Sequence, residues 1–303
     1  MNLNLMKYKT IYFLISVIFL VPSIFSLLVW GLKPAIDFTG GSVLEIKSAQ
    51  DTLKVLQSNS SKVEELGIEL LSIQESGEGT FILKMKEIDK DKKQELLEAF
   101  RPKADHPLDE KKEFGEIEEV RFETLGPAIG RELIKKTVLA IILAAGFILV
   151  YVAYRFQDKK YGVCAILAMF HDTIILLGAF SLLGHFLGVE VDTLFVTAVL
   201  TILSFSVHDT VVVYDRIRDS VRRYPQVEFS KLVNKAVVET LTRSINNSMT
   251  IIFMLLCLYL FGGQTIRWFT FALLLGTIYG TYSSTFTAAP LLIVWENFKK
   301  KKK

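Results

Sequence analysis

Thr193-Leu-Phe-Val-Thr-Ala-Val-Leu-Thr-Ile-Leu-Ser-Phe-Ser-Val-His-Asp-Thr-Val-Val-Val-Tyr214 is a run of 22 residues with a single formal charge, on Asp209. At about 1.5 Å per residue, a helix over this run is long enough to cross a hydrocarbon core of about 30 Å. A buried helix of a soluble domain is the competing reading, and the rest of the chain argues against it. Runs over Thr10 to Leu32, Thr137 to Tyr154, Tyr161 to Gly188, Ser244 to Ile266 and Trp268 to Trp295 are each 18 residues or longer and hold at most one charge. The average composition, 51% hydrophobic and 22% charged, hides this arrangement. Of the 67 Asp, Glu, Lys and Arg residues, 39 lie between Lys33 and Lys136. The expected fold is a polytopic α-helical membrane protein of six spans, with one α+β extracytoplasmic domain between spans one and two.

The expected boundaries are 1–32 for the N-terminus and first span, 33–136 for the outer domain, 137–296 for spans two to six, and 297–303 for a basic tail. An amphipathic cytoplasmic segment occupies 215–243. The first run follows Lys7 and Lys9 as a signal peptide would. Its apolar stretch exceeds the usual length of about 7–15 residues and no small-x-small cleavage site follows, so it reads as an uncleaved span. Outside the charged segment there are 18 basic residues, and only Arg267 falls on the side opposite the other seventeen. The positive-inside rule then puts both termini in the cytoplasm and the charged domain outside. Cys164 and Cys257 fall inside spans three and five, where they read as packing residues.

The outer domain reads as a strand at Gly41 to Ile46, a helix over Asp51 to Leu66, and a hairpin from Ile68 to Lys86 turning at Gly77 and Gly79. A helix over Asp89 to Phe100 and a strand at Ile117 to Glu123 follow. The alternation of Phe81, Leu83 and Met85 with Ile82 and Lys84 marks a half-buried strand. The order βαββαβ is that of a ferredoxin-like sandwich. With 17 basic and 22 acidic residues, the segment is a poor partner for nucleic acid. It shows no metal cluster, nucleophile constellation or phosphate loop, and His106 stands alone. No cofactor and no enzymatic activity are expected.

Asp172 and Asp209 are the carboxylates inside the apolar runs, each within a His-Asp-Thr tripeptide at 171–173 and 208–210. Ionisable groups in a bilayer cost a few kcal/mol each and mark ion or substrate pathways. Spans three and four run in opposite directions, and counting from their cytoplasmic ends places both carboxylates between the cytoplasmic surface and the middle. Arg243 ends the amphipathic segment at a depth that suits an ion pair with Asp209, the competing reading being a snorkelling anchor. Such a pair is switchable, because small rearrangements decide whether the carboxylate holds a proton. His171 and His208 are candidate proton relays or satisfied core residues. A metal-dependent hydrolase is disfavoured, since no further His, Cys or Glu lies at comparable depth. In span six, Ala272, Gly276, Gly280, Ser284 and Ala288 recur every four residues and read as a close-packing seam.

Several of these stretches resemble one family. Asp37-Phe-Thr-Gly-Gly41, Glu123-Thr-Leu-Gly-Pro-Ala-Ile-Gly130, His171-Asp-Thr and Ser206-Val-His-Asp-Thr-Val-Val-Val-Tyr-Asp-Arg-Ile-Arg218 are similar to motifs of the SecF family, half of the bacterial SecD/SecF protein-export complex. The Arg243 neighbourhood and Leu260-Phe-Gly-Gly263 extend the likeness over essentially the whole chain. The resemblance implies a six-span half of a resistance-nodulation-division type bundle in the bacterial inner membrane, paired with SecD beside the SecYEG channel. It implies use of an ion gradient to move the outer domains and help preproteins leave the channel. It assigns Asp209 and Arg243 to the ion path, with Asp172 less defined, and Asp37, Gly40 and Gly41 to a structural link between span one and the outer domain, with Gly126 and Pro127 as motif residues at the exit from that domain. The alternative is half of a proton-driven efflux transporter, for which about a hundred outer residues leave little room.

Overall fold

The computed structural model describes residues 4–47, 63, 66–75, 79–100, 118–156 and 158–301. The chain forms two compact units, Pro34–Thr137 and a helical unit of Met1–Lys33 with Val138–Lys303. A 3-10 turn, Leu5–Tyr8, and α1, Lys9–Val29, lead to the smaller unit. That unit holds α2 (Ile36–Thr39), β1 (Gly41–Lys47), β2 (Leu70–Glu75), β3 (Thr80–Met85), α3 (Lys90–Phe100) and β4 (Glu118–Leu125). The chain continues as α4 (Pro127–Arg155), α5 (Lys159–Leu187), α6 (Thr193–Arg223), α7 (Phe229–Phe261), α8 (Gln264–Ser283), a π turn (Ser284–Ala288) and α9 (Ala289–Lys301).

Among the described residues five helices are long and apolar enough to cross a membrane: Leu5–Val29, Pro127–Arg155, Lys159–Leu187, Thr193–Arg223 and Phe229–Phe261. The sixth expected run is helical throughout but divided among α8, the π turn and α9. Pro290 explains the division. It has no N–H for the carbonyl of Phe286 and its ring crowds that carbonyl, so the preceding turn widens. Of these five, α5 and α6 are the most enclosed, each with 56% of its most apolar window buried, against 6% for α4.

Small and hydroxylated residues bring the helices of this unit close. A Cβ on Gly178 of α5 would lie 2.2 Å from Ser23 Cβ of α1, and one on Gly276 of α8 would lie 2.4 Å from Ile202 Cγ1 of α6. Ser26 donates to Ser181 at 2.6 Å, and the Ser16 and Thr287 hydroxyls meet at 3.1 Å. Side chains of this kind permit close backbone approach and supply interhelical hydrogen bonds in apolar surroundings. Ala272, Gly276, Gly280, Ser284 and Ala288, the residues of the expected seam, are all buried. Cys164 is buried as expected, whereas Cys257 is exposed on α7. Its place in an apolar run fixed its depth and left its helix face open.

In the smaller unit the sheet order is β2-β3-β1-β4, and every neighbouring pair is antiparallel. Leu44, Ile46, Phe81, Leu83, Met85 and Leu96 form its core. The period-two alternation read from 81–85 is the alternation observed, with Phe81, Leu83 and Met85 at most 1% exposed. Most of the expected helix over Asp51 to Leu66 lies outside the described residues, as do Gly77, His106 and Ile117.

Candidate ion-responsive site in the helical unit

The α6 helix starts where Asp192 Oδ1 caps the Phe195 N–H at 2.7 Å. It then runs for 31 residues and turns Ser206 and Asp209 inward among Ile202, Leu203, Val207 and Val213. Asp209 is 6% exposed and Asp172 of α5 is 2% exposed. In such surroundings a carboxylate must be hydrogen-bonded or neutralised, and the chain supplies hydroxyls. The Ser244 hydroxyl lies 2.6 and 2.7 Å from the two Asp209 oxygens, and Ser284 also donates to Asp209 Oδ2. Asp172 Oδ2 accepts from Ser206 at 2.6 Å and from Ser283 at 2.5 Å. His171 Nδ1 lies 2.9 Å from Asp172 Oδ1.

The two carboxylates are thus joined by adjacent residues. Ser283 ends α8 and faces Asp172, while Ser284 begins the π turn and faces Asp209. Ser206 strengthens the connection, since it sits one turn before Asp209 on α6 and donates across to α5. Serines 206, 244, 283 and 284 were not among the residues expected to act on the carboxylates; Ser284 was read only as packing. Their available signal was weak: a hydroxyl within an apolar run must find an acceptor, and these carboxylates are the strong acceptors nearby. With Asp172 ionised, His171 donates through Nδ1, and its buried Nε2 has no hydrogen-bond partner among the described residues.

Arg243 and His208 stand elsewhere. Arg243 is exposed, and the expected ion pair with Asp209 is replaced by the contact from Ser244. Consecutive helical residues point about 100° apart, so correct depth did not give the correct face. His208 is likewise exposed on α6, beside Asp209 in sequence but on the outer side of the helix. It falls in line with exposed Thr197, Thr201 and Ser204, spaced four, three and four residues apart. Arg243, Asn246, Asn247 and Thr250 make a second exposed polar stripe on α7. Among the described residues no cluster of three His, Cys, Asp or Glu side chains suits a metal ion.

A different cluster forms within the smaller unit. Gly40 has φ +78 and Gly41 φ +144, conformations that favour glycine. A Cβ on Gly40 would lie 2.8 Å from Pro127 Cα, one on Gly41 2.8 Å from Met85 O, and one on Gly130 2.6 Å from Phe38 O. The Asp37-Phe-Thr-Gly-Gly41 and Gly126-Pro127 stretches are therefore locked against each other where β1 begins and α4 starts. Gly126 faces the Glu87 side chain, with its Cβ position 3.6 Å from Oε1.

This fold and site define a multi-pass helical membrane protein that buries a linked pair of carboxylates in two of its most enclosed helices and carries an α+β unit between its first two long helices. The chain belongs to the SecF family. Residues 107–298 match the family described as protein export membrane protein SecD/SecF, C-terminal, and residues 25–52 match the SecD/SecF GG motif. The protein translocase subunit SecF of Thermobaculum terrenum is 39% identical over 308 residues, covering 97% of this chain and 94% of that protein. The subunit SecF of Anaerolinea thermophila is 37% identical, with the same coverage. The crystal structure of SecDF from Thermus thermophilus, a translocon-associated membrane protein, aligns with a TM-score of 0.82 at 31% identity. That alignment takes in 97% of this chain and 39% of the longer SecDF chain.

Proposed function

We propose that this protein is an accessory, non-enzymatic subunit of the bacterial Sec translocase. It uses the transmembrane proton or sodium gradient to drive motion of its outer domain and to promote late-stage export of preproteins. The observation that carries the reading is the buried pair Asp172 and Asp209, joined through Ser283 and Ser284. Placing carboxylates in a bilayer is costly enough that a role in ion binding or transfer is the economical account. In this reading the sixth span is the divided helix from α8 to α9, both termini are cytoplasmic, and the domain between the first two spans is extracytoplasmic. The antiparallel order β2-β3-β1-β4 supports a ferredoxin-like domain, since βαββαβ connections produce that order.

The partners in this reading are SecD, the SecYEG channel and the translocating preprotein, with membrane lipid around the spans. The polar stripes of α6 and α7 support a paired bundle. Thr197, Thr201, Ser204 and His208, with Arg243, Asn246, Asn247 and Thr250, are uncovered in this chain and are poor surfaces to offer to lipid. A second set of spans, from SecD, covers them and brings Arg243 and His208 into a shared ion path. The Gly40, Gly41 and Pro127 lock is the coupling element at the start of the outer domain. The test is translocation into vesicles that hold the assembled translocase, with and without an imposed gradient. Asp209→Asn is expected to reduce gradient-stimulated export to the gradient-free level; unaltered late-stage export would overturn the proposal. Sodium-only and proton-only gradients identify the ion in the same assay.

A further inference from the structure

The 3-10 turn and the first turns of α7 line a cavity of about 980 Å³. Lys7 comes from the 3-10 turn, Lys9 from the start of α1, and Lys231 and Lys235 from α7, with Glu228 and Glu239 as the acidic groups. The Met6 N–H donates to Asn234 Oδ1 at 3.1 Å and ties the two elements together. The charges do not balance. Glu239 is engaged by Arg216 at 2.6 Å, and Glu228 lies 3.9 Å from Lys231. Among the described residues Lys7, Lys9 and Lys235 have no carboxylate at ion-pair distance, and Lys235 rests over the Tyr224 ring at 4.3 Å. Like charges gathered in a concave site repel one another unless an anion joins them.

The surroundings select among anions. Lys9 immediately precedes the uncharged run that opens at Thr10. Lys7 heads an apolar stripe on α1, because Ile11, Leu14, Ile18, Val21 and Phe25 follow at helical spacing and each is more than half exposed. We propose that the cavity binds the phosphate of an anionic glycerophospholipid whose acyl chains run down that stripe. An inorganic phosphate answers the lysines and leaves the stripe unused, so the continuity of the two features favours a lipid. Basic pockets of this kind at the cytoplasmic side of spans suit anionic headgroups. The inference rests on the reading of α1 and α7 as spans. It is independent of the gradient mechanism, because binding is read without export.

The experiment places the protein in nanodiscs of mixed phosphatidylcholine and phosphatidylglycerol and measures, by native mass spectrometry, which lipid is retained after mild delipidation. The wild type is expected to retain phosphatidylglycerol selectively. A variant carrying Lys7→Gln, Lys9→Gln, Lys231→Gln and Lys235→Gln is expected to lose that preference by at least about tenfold, because basic residues at an anionic surface each add to the attraction. The matching variant with Lys→Arg at the same four positions keeps it, which separates lost charge from lost folding. Lys→Gln at each of Lys299 to Lys303 also keeps it, which separates a built site from general attraction of basic residues. Equal loss in the tail variant, an unchanged preference in the cavity variant, or displacement of the lipid by inorganic phosphate would each overturn the proposal.

Discussion

Arg243 and Ser244 are neighbours in sequence and face different ways on α7, and that difference assigns their roles within this chain. Ser244 holds both oxygens of Asp209, whereas Arg243 is exposed. Ser244→Ala is expected to destabilise the helical unit by about 1–3 kcal/mol, the cost of leaving a buried polar group without its hydrogen bond. Denaturant unfolding in micelles reads this, and Ser244→Thr restores much of the loss. Arg243→Met in the isolated chain is expected to change stability by less than about 0.5 kcal/mol, as is usual for exposed positions. Asp172 and Asp209 were legible in the sequence because a charge inside an apolar run has no bland explanation. The serines were not, since a serine is common in spans and only the fold shows which acceptor it reaches. Arg243 illustrates the remaining gap: counting along a helix gives depth, and the facing side follows only from packing.

At the scale of elements, the four-residue repeat of small side chains runs from α8 into the π turn, and the helix that approaches it was not in the pattern. That partner is α6, reached at Gly276 against Ile202 and at Gly280 against Phe205, whose Cδ1 lies 3.3 Å from the Gly280 Cβ position. Gly276→Leu is expected to cost about 1–3 kcal/mol through overpacking. Ile202→Ala on the same chain recovers part of it, as thermal unfolding of the two single variants and the double variant would report. The π turn was not foreseen, although Pro290 was visible; a proline removes a hydrogen bond without saying how the helix absorbs the loss. Here the turn follows immediately on Ser283, and the first residue of the turn, Ser284, holds Asp209. In the smaller unit, period-two alternation identified β3, while the strand order came from the register of β1 between β3 and β4.

For the whole molecule, the segregation of charge along the chain made the division into an apolar helical part and a charged α+β part legible without coordinates. The uncovered polar stripes were not legible, because exposure depends on which helices pack together. They bear on energetics as well. One charge moved through about 100 mV yields about 2.3 kcal/mol, whereas nearly complete switching of a two-state element requires about 5.5 kcal/mol. On the proposed function, a gradient-driven motor would move more than one ion per cycle or switch incompletely, and a second buried carboxylate, held by the serine next to the one that holds Asp209, suits the first of these. The most direct measurement is gradient-driven ion flux through the chain reconstituted with its SecD partner. The account predicts a flux in the wild type that Asp209→Asn abolishes while the complex stays assembled. A flux of wild-type size in Asp209→Asn would contradict it.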